Sequence, residues 1–186
     1  MYFIDCLEKE HEHILELTQI IEAMALEIFE KRTIAFDDFE KVLYFIKHYS
    51  DAHHHGKEEE ILFADMLIHG GELAQAMIQH GMLIEHDQAR FIVSNWRESL
   101  DTLKNESAPY DSKALMQLMR HALDYADLLK RHAEKENSVA YPFGVRVLPE
   151  SLYASLDERT RAFEEEHKNR REECLSILDS LRVYLQ

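Results

Sequence analysis

The chain has 186 residues, 46% of them apolar, and a formal net charge of −15, which is long enough for one domain with a real core. The acidity and the lack of any basic stripe disfavour nucleic acid and anionic membrane surfaces as partners. No apolar run approaches the ~18 residues of a membrane span, the Met1-Tyr2-Phe3-Ile4-Asp5 start lacks a signal-peptide pattern, and Cys6 and Cys174 are too few for a disulfide framework, so a cytoplasmic protein is expected.

Five glycines and three prolines leave long unpunctuated stretches, the pattern of an all-α protein. A first helix is expected from about Ile4 to Lys31, with Leu7, Ile14, Leu17, Ile21, Met24 and Ile28 as its apolar stripe. A second starts near Phe36, with Asp37 or Asp38 in its first turn, and ends at Gly70-Gly71. A third spans about Glu72 to Lys104, and a loop containing Pro109 leads to a fourth from about Ser112 to Val139. Pro142, Gly144 and Pro149 then break the chain before a charged fifth segment, Ser151 to Leu185. Short connections favour antiparallel neighbours. The expected fold is therefore all-α: an up-and-down antiparallel four-helix bundle over residues 1–145, with an additional C-terminal helix in residues 146–186 packed on the same domain.

Four histidines recur as an echo. His11 and His86 each follow a glutamate, and His55 and His132 each precede one by four residues, Glu59 and Glu136. Four residues is about one helical turn, so each His/Glu couple points two ligand-type side chains the same way. In His53-His54-His55-Gly56-Lys57-Glu58-Glu59-Glu60 two registers compete, His54 with Glu58 or His55 with Glu59. Stepping along the core face from Phe45 through Tyr49 and Ala52 favours His55/Glu59. In the first helix His11 competes with His13, and the line Leu7–His11–Ile14 favours His11. The bland alternative is a set of solvated surface pairs, each contributing a few tenths of a kcal/mol. It leaves the repetition of the pattern unexplained. His11, His55, Glu59, His86, His132 and Glu136 are the expected metal ligands. Imidazole and carboxylate donors without cysteine suit iron, manganese or zinc, and two carboxylates from opposite helices can bridge two cations.

These motifs resemble the hemerythrin-like family, the hemerythrin/HHE cation-binding domain. The resemblance rests on Glu10-His11…Ile14, His54-His55-Gly56-Lys57-Glu58-Glu59 followed by Ile61-Leu62-Phe63, Met82-Leu83…Glu85-His86…Arg90, and His132…Lys135-Glu136-Asn137…Val139…Tyr141-Pro142, in family order over residues 10–142. It implies a four-helix bundle around a non-haem di-iron centre, with two Fe ions and Mn or Zn as substitutes. His11, His55, His86 and His132 are then terminal ligands, with Glu59 and Glu136 bridging. The chain departs from the oxygen-carrying hemerythrins in two respects: four residues after His86 stands Arg90, not a second histidine, and His132-x-x-x-Glu136 stands where those proteins have His-x-x-x-x-Asp. One ion is thus expected to lack a histidine.

The function implied is binding or sensing of O2, or of a related small ligand such as peroxide or NO. The alternative is an oxidoreductase that scavenges these molecules with a separate redox partner protein. Tyr49 and Tyr125, on site-facing stripes, are candidates to hydrogen-bond the ligand. The tail from Ser151 is expected to cover the bundle or mediate a homodimer. A ferritin-like reading, through Glu8-x-x-His11 and Glu164-x-x-His167, fits that family's i,i+3 spacing but leaves both His-x-x-x-Glu couples as coincidence.

Overall fold

A computed structural model describes all of residues 1–186, and every regular element in it is helical. Helix α1 (Tyr2–Lys31) buries the predicted stripe and stops at Arg32, which adopts a left-handed φ of 55° and returns its N–H to the Ile28 carbonyl. The second rod begins as α2 (Phe36–Phe45), passes through π-helical stretches Ile46–His55 and Glu58–Leu62, and ends as α3 (Phe63–His69). Gly71, at φ 65°, makes the turn that an L side chain would disfavour. The third rod is α4 (Gly71–Met77), a π turn Ile78–Met82, and α5 (Leu83–Lys104). The fourth is α6 (Ser112–Lys135), a π turn Glu136–Ala140, and α7 (Tyr141–Val147). Asp111 caps α6, its carboxylate accepting from the amides of Lys113 and Ala114.

Two apolar cores show which ends of the rods lie together. The larger core gathers Ile14–Ile28 of α1, Phe39–Tyr49 of the second rod, Ala89–Leu103 of α5 and Leu115–Leu129 of α6. The smaller gathers Phe3–Leu7, Ile61–Met66, Ala74–Met82 and Ala140–Leu148. Successive rods therefore run in opposite directions, the up-down-up-down bundle expected from the short connections. Between the cores lies a layer of buried polar side chains, which include His11, His54, His55, Glu58, His86, His132 and Glu136.

The added C-terminal helix is bent at His167 into α8 (Tyr153–Glu166) and α9 (Lys168–Leu181). The bend lets one segment serve both cores: α8 places Leu156 in the smaller, and α9 places Cys174, Leu178 and Leu181 in the larger. No helix is long and apolar enough to cross a membrane. Cys6 and Cys174 are both free thiols.

Leu178 is almost wholly buried, and a Leu→Ala change at such a site costs about 2–5 kcal/mol. Leu178→Ala is expected to lower the urea midpoint while keeping one cooperative transition. A separate early transition for α9 would mean that the tail folds apart from the bundle.

Candidate metal centre

Three of the four rods change their winding at the polar layer; α1, which brings His11, stays α-helical throughout. The π stretches end at His53-His54-His55, begin at Glu58, precede His86 by four residues, and begin at Glu136. A π turn closes i→i+5 and widens the helix, which is why such turns gather at functional sites. Here the widening turns both His54 and His55 inward, together with Glu58.

Two groups of donors converge. His55, His86, His132 and Glu58 form one, and His11, His54, Glu58 and Glu136 the other; within each, the ligand atoms lie within 4.8 Å of one another. Glu58 belongs to both. Glu136 also reaches the first group, its Oε1 lying 3.2 Å from His132 Nε2 and 3.8 Å from His86 Nε2.

Each of the five imidazoles is oriented from behind through Nδ1. His11 Nδ1–H donates to Asn137 Oδ1 at 2.8 Å, His54 to Glu10 at 3.0 Å, His86 to Glu59 at 2.7 Å, and His132 to Glu85 at 2.9 Å. His55 makes a longer 3.4 Å contact to Asp51. A hydrogen-bonded Nδ1–H leaves the lone pair on Nε2, and this is how metal-binding histidines are usually held. The Nε2 atoms then face one another: His11 and His54 at 2.9 Å, His86 and His132 at 3.0 Å. Lone pairs at that separation repel unless a cation or proton lies between them. His55 Nε2 and Glu58 Oε2 are buried with no hydrogen-bond partner, and Glu136 Oε1, though 3.2 Å from His132 Nε2, makes no well-aligned hydrogen bond. Buried polar atoms are rarely left so. The donor chemistry, imidazole and carboxylate without thiolate, suits iron, manganese or zinc. The clustered groups form a metal-binding site, and the residues fit it.

The electrostatics agree. Burial and the neighbouring Glu136 charge hold Glu58 well above the usual carboxylate range. Glu136 is just as buried, yet the His132 charge and hydrogen bonds from the imidazoles hold it well below that range. Two adjacent buried carboxylates resist joint ionisation, and a bound cation removes the conflict. Burial, reinforced by His11, lowers His54 to about 4; burial, reinforced by His86, lowers His55 to about 3. Both rings are thus neutral at pH 7, the form that ligates metal. Burial works against charging His132, but Glu136 and Glu85 outweigh it and raise that ring to about 9.

Of the residues singled out from the sequence, His11, His55, His86, His132 and Glu136 lie in these groups. Glu59 does not. Its carboxylate is partly exposed and accepts from His86 Nδ1 and from Arg90, so it stands behind the cluster and Glu58 stands inside it. The reason is the π turn, which breaks the four-residue period on which His55/Glu59 was chosen. His54 joins the cluster for the same reason, and the shortfall of one histidine is made up on the second rod. His13 lies outside, accepting from the Tyr49 hydroxyl at 2.6 Å. Tyr125 has its hydroxyl beside that of Ser50 and lines a cavity beside His55. The tyrosine at the cluster is Tyr141, which donates to Glu58 Oε1 at 2.6 Å and lies 3.5 Å from His11 Nε2. Its position next to Pro142 made it read as the end of a helix. The Lys135-Glu136…Tyr141 run was its only signal.

A second layer holds the first. Lys57, buried, forms ion pairs with Glu10 and with Glu164 of α8, and Glu164 also pairs with Arg171. Glu10 is the carboxylate that orients His54. Lys57 and the His53 and His54 rings keep it well below the usual range despite its burial. Cys6, beside this network, is pushed up to about 12 by burial and the Glu10 charge, and stays a thiol.

The hemerythrin HHE cation binding domain model matches residues 2–143 of the chain. Neither a curated protein nor a solved structure matches it.

Removing one partner of a buried ion pair costs about 3–5 kcal/mol because the other charge is stranded. Lys57→Met removes the cation between Glu10 and Glu164, leaving His53 Nε2, 3.0 and 2.9 Å from them, as their shared partner, and is expected to destabilise by up to that order in chemical denaturation. The double variant Lys57→Met/Glu164→Gln should recover part of the loss. No recovery would show that the three groups do not act as one network.

Proposed function

Because the chain belongs to the hemerythrin HHE cation-binding family, we propose that it holds two iron ions between the rods and binds or senses O2 or a related small ligand, peroxide or NO. The carrying observation is the paired, facing Nε2 atoms with orphaned carboxylate oxygens between them. His55, His86 and His132 would hold one ion, His11 and His54 the other, and Glu58 and Glu136 would bridge. Iron so held supplies the electrons with which O2, peroxide or NO is bound or reduced.

The chain's own groups account for the rest. The five Nδ1–H donors fix every ring with its Nε2 inward, so little reorganisation is required on loading. The His11/His54 group has one imidazole fewer than the other, which leaves more room there for an incoming molecule. Tyr141 stands on that side. Burial and the Glu58 charge keep its hydroxyl protonated, so it serves as a hydrogen-bond donor. Leu7, Leu62 and Phe63 of the smaller core keep bulk water from the site. The second rod brings an imidazole to each group, His55 to His86 and His132 and His54 to His11, so five imidazoles converge without a histidine at the position of Arg90. Electrons, where a cycle needs them, would come from a separate redox protein.

Anaerobic loading with Fe(II) is expected to give two irons per chain by elemental analysis, and near-ultraviolet absorption should grow on exposure to air. Glu58→Ala should lose most of the iron, whereas Glu59→Ala, which removes an orienting carboxylate, should lower affinity about 10- to 100-fold and still load at excess metal. If Glu59→Ala abolishes loading and Glu58→Ala does not, the assignment of the bridge is wrong. Rapid consumption of peroxide or NO by the loaded protein would assign scavenging in place of binding.

Tyr141→Phe keeps the ring packing and removes the hydroxyl proton. It is expected to load iron normally and to release the bound small ligand faster, by roughly tenfold for the loss of a buried hydrogen bond. Unchanged release rates for all three ligands would remove Tyr141 from the binding role.

A further inference from the structure

Beside the metal cluster, between the second rod and α5, lies a cavity of about 300 Å³. Leu43, Ile46, Ala89 and Val93 give it apolar walls, and Tyr125 and the cluster's His55 also line it. Three features set it apart. Its surface is mostly apolar, and Tyr125 lies buried beneath it with its hydroxyl beside that of Ser50. The lining carries three cations, Lys47, Arg90 and Arg97, against one carboxylate, Asp51, in a chain of net charge −15. Arg90 and Arg97 are already committed, to Asp51 and Glu59 and to Glu40 respectively. Lys47, exposed at the mouth, has no acidic partner.

We propose that this cavity binds a small organic monoanion with an apolar body, of the size of a medium-chain or simple aromatic carboxylate. The apolar walls take the body and Lys47 takes the charge. The volume corresponds to roughly ten waters, enough to enclose a body of that size and too little to enclose a nucleotide or a flavin. The position has a consequence for the cluster. Asp51 accepts from both His55 Nδ1 and Arg90, so an anion that draws on Arg90 loosens the group that orients His55. The site itself is built from residues other than the shared carboxylates, and it does not require that the cluster hold iron.

Trp96, the one tryptophan in the chain, packs 6.2 Å from the Tyr125 ring and reports on the cavity. Octanoate titrated into both metal-stripped and iron-loaded protein is expected to change its fluorescence with one-site saturation, and 1-octanol should bind several-fold more weakly. Lys47→Gln should weaken octanoate by about tenfold and leave 1-octanol unaffected. Val93→Phe should abolish binding of both; Ser94→Phe at the exposed rim provides the same block should the Val93 variant not fold. The inference is overturned by the absence of a saturable response in natively folded protein, by equal affinity for acid and alcohol, or by octanoate binding that survives both blocking variants. Failure here with two irons per chain leaves the metal reading intact, and octanoate binding without iron loading leaves the cavity intact.

Discussion

The arrangement on which the rest of the structure depends is a layer of inward-facing lone pairs in the middle of an apolar bundle. Five Nε2 atoms and the free oxygens of two carboxylates are directed at common points by hydrogen bonds made on the far side of each ring. Such a layer is costly by itself. Two buried carboxylates cannot both ionise without a neighbouring positive charge, and imidazole lone pairs 3 Å apart have no favourable interaction with one another. The two apolar cores above and below hold the rods at one level and force these groups together. Metal binding and folding are therefore linked here: the free energy released on ligation offsets the strain that the cores impose.

The echo in the sequence has a structural meaning that differs from its first appearance. Glu10 precedes His11 but orients His54 on the next rod; Glu85 precedes His86 but orients His132. Each of these glutamates also pairs with a lysine on that next rod, Glu10 with Lys57 and Glu85 with Lys135. In both cases the lysine immediately precedes the shared carboxylate, Glu58 or Glu136. A spacing of 78 residues relates His54 to His132, Lys57 to Lys135 and Glu58 to Glu136. The site is thus two copies of one helical hairpin, each with a glutamate on its first rod that holds the histidine and lysine of its second.

That wiring explains what was legible in the chain and what was not. The fold followed from uninterrupted helical periodicity and three breaks, because burying a stripe every 3.6 residues needs little else. The positions of His11, His86, His132 and Glu136 followed from their places on apolar faces. Glu58 and His54 could not follow from the same rule, because the rule assumes α-helical winding and the second rod is π-helical where they lie. Two adjacent histidines can share a site only if the helix widens. No residue in His53-His54-His55 announces that widening; it arises from tertiary packing at the polar layer. Tyr141 was hidden in another way, since the proline after it reads as a helix stop while the backbone continues into α7 with Pro142 in its first turn, where no amide is needed.

The two hairpins are not equivalent, and the differences fall where function would exploit them. His55 has no counterpart, because the matching position in the second hairpin is Ala133, so one donor group is richer in imidazole than the other. Lys57 is buried under α8 and tied to Glu164, whereas Lys135 is only half-buried. Residues 144–186 lie beyond the part of the chain that matches the family, and α8 and α9 within them pack mainly on the first hairpin, with Tyr153 of α8 also donating to the Val145 carbonyl of α7. Tyr141 attends the imidazole-poor group, and the apolar cavity abuts the imidazole-rich one through His55. The extension thereby converts a nearly two-fold site into one with a sealed flank and two distinct approaches. The two donor groups are therefore unequal in ligand set and surroundings, and under the proposed reading that inequality is what would give an incoming molecule a preference for one side.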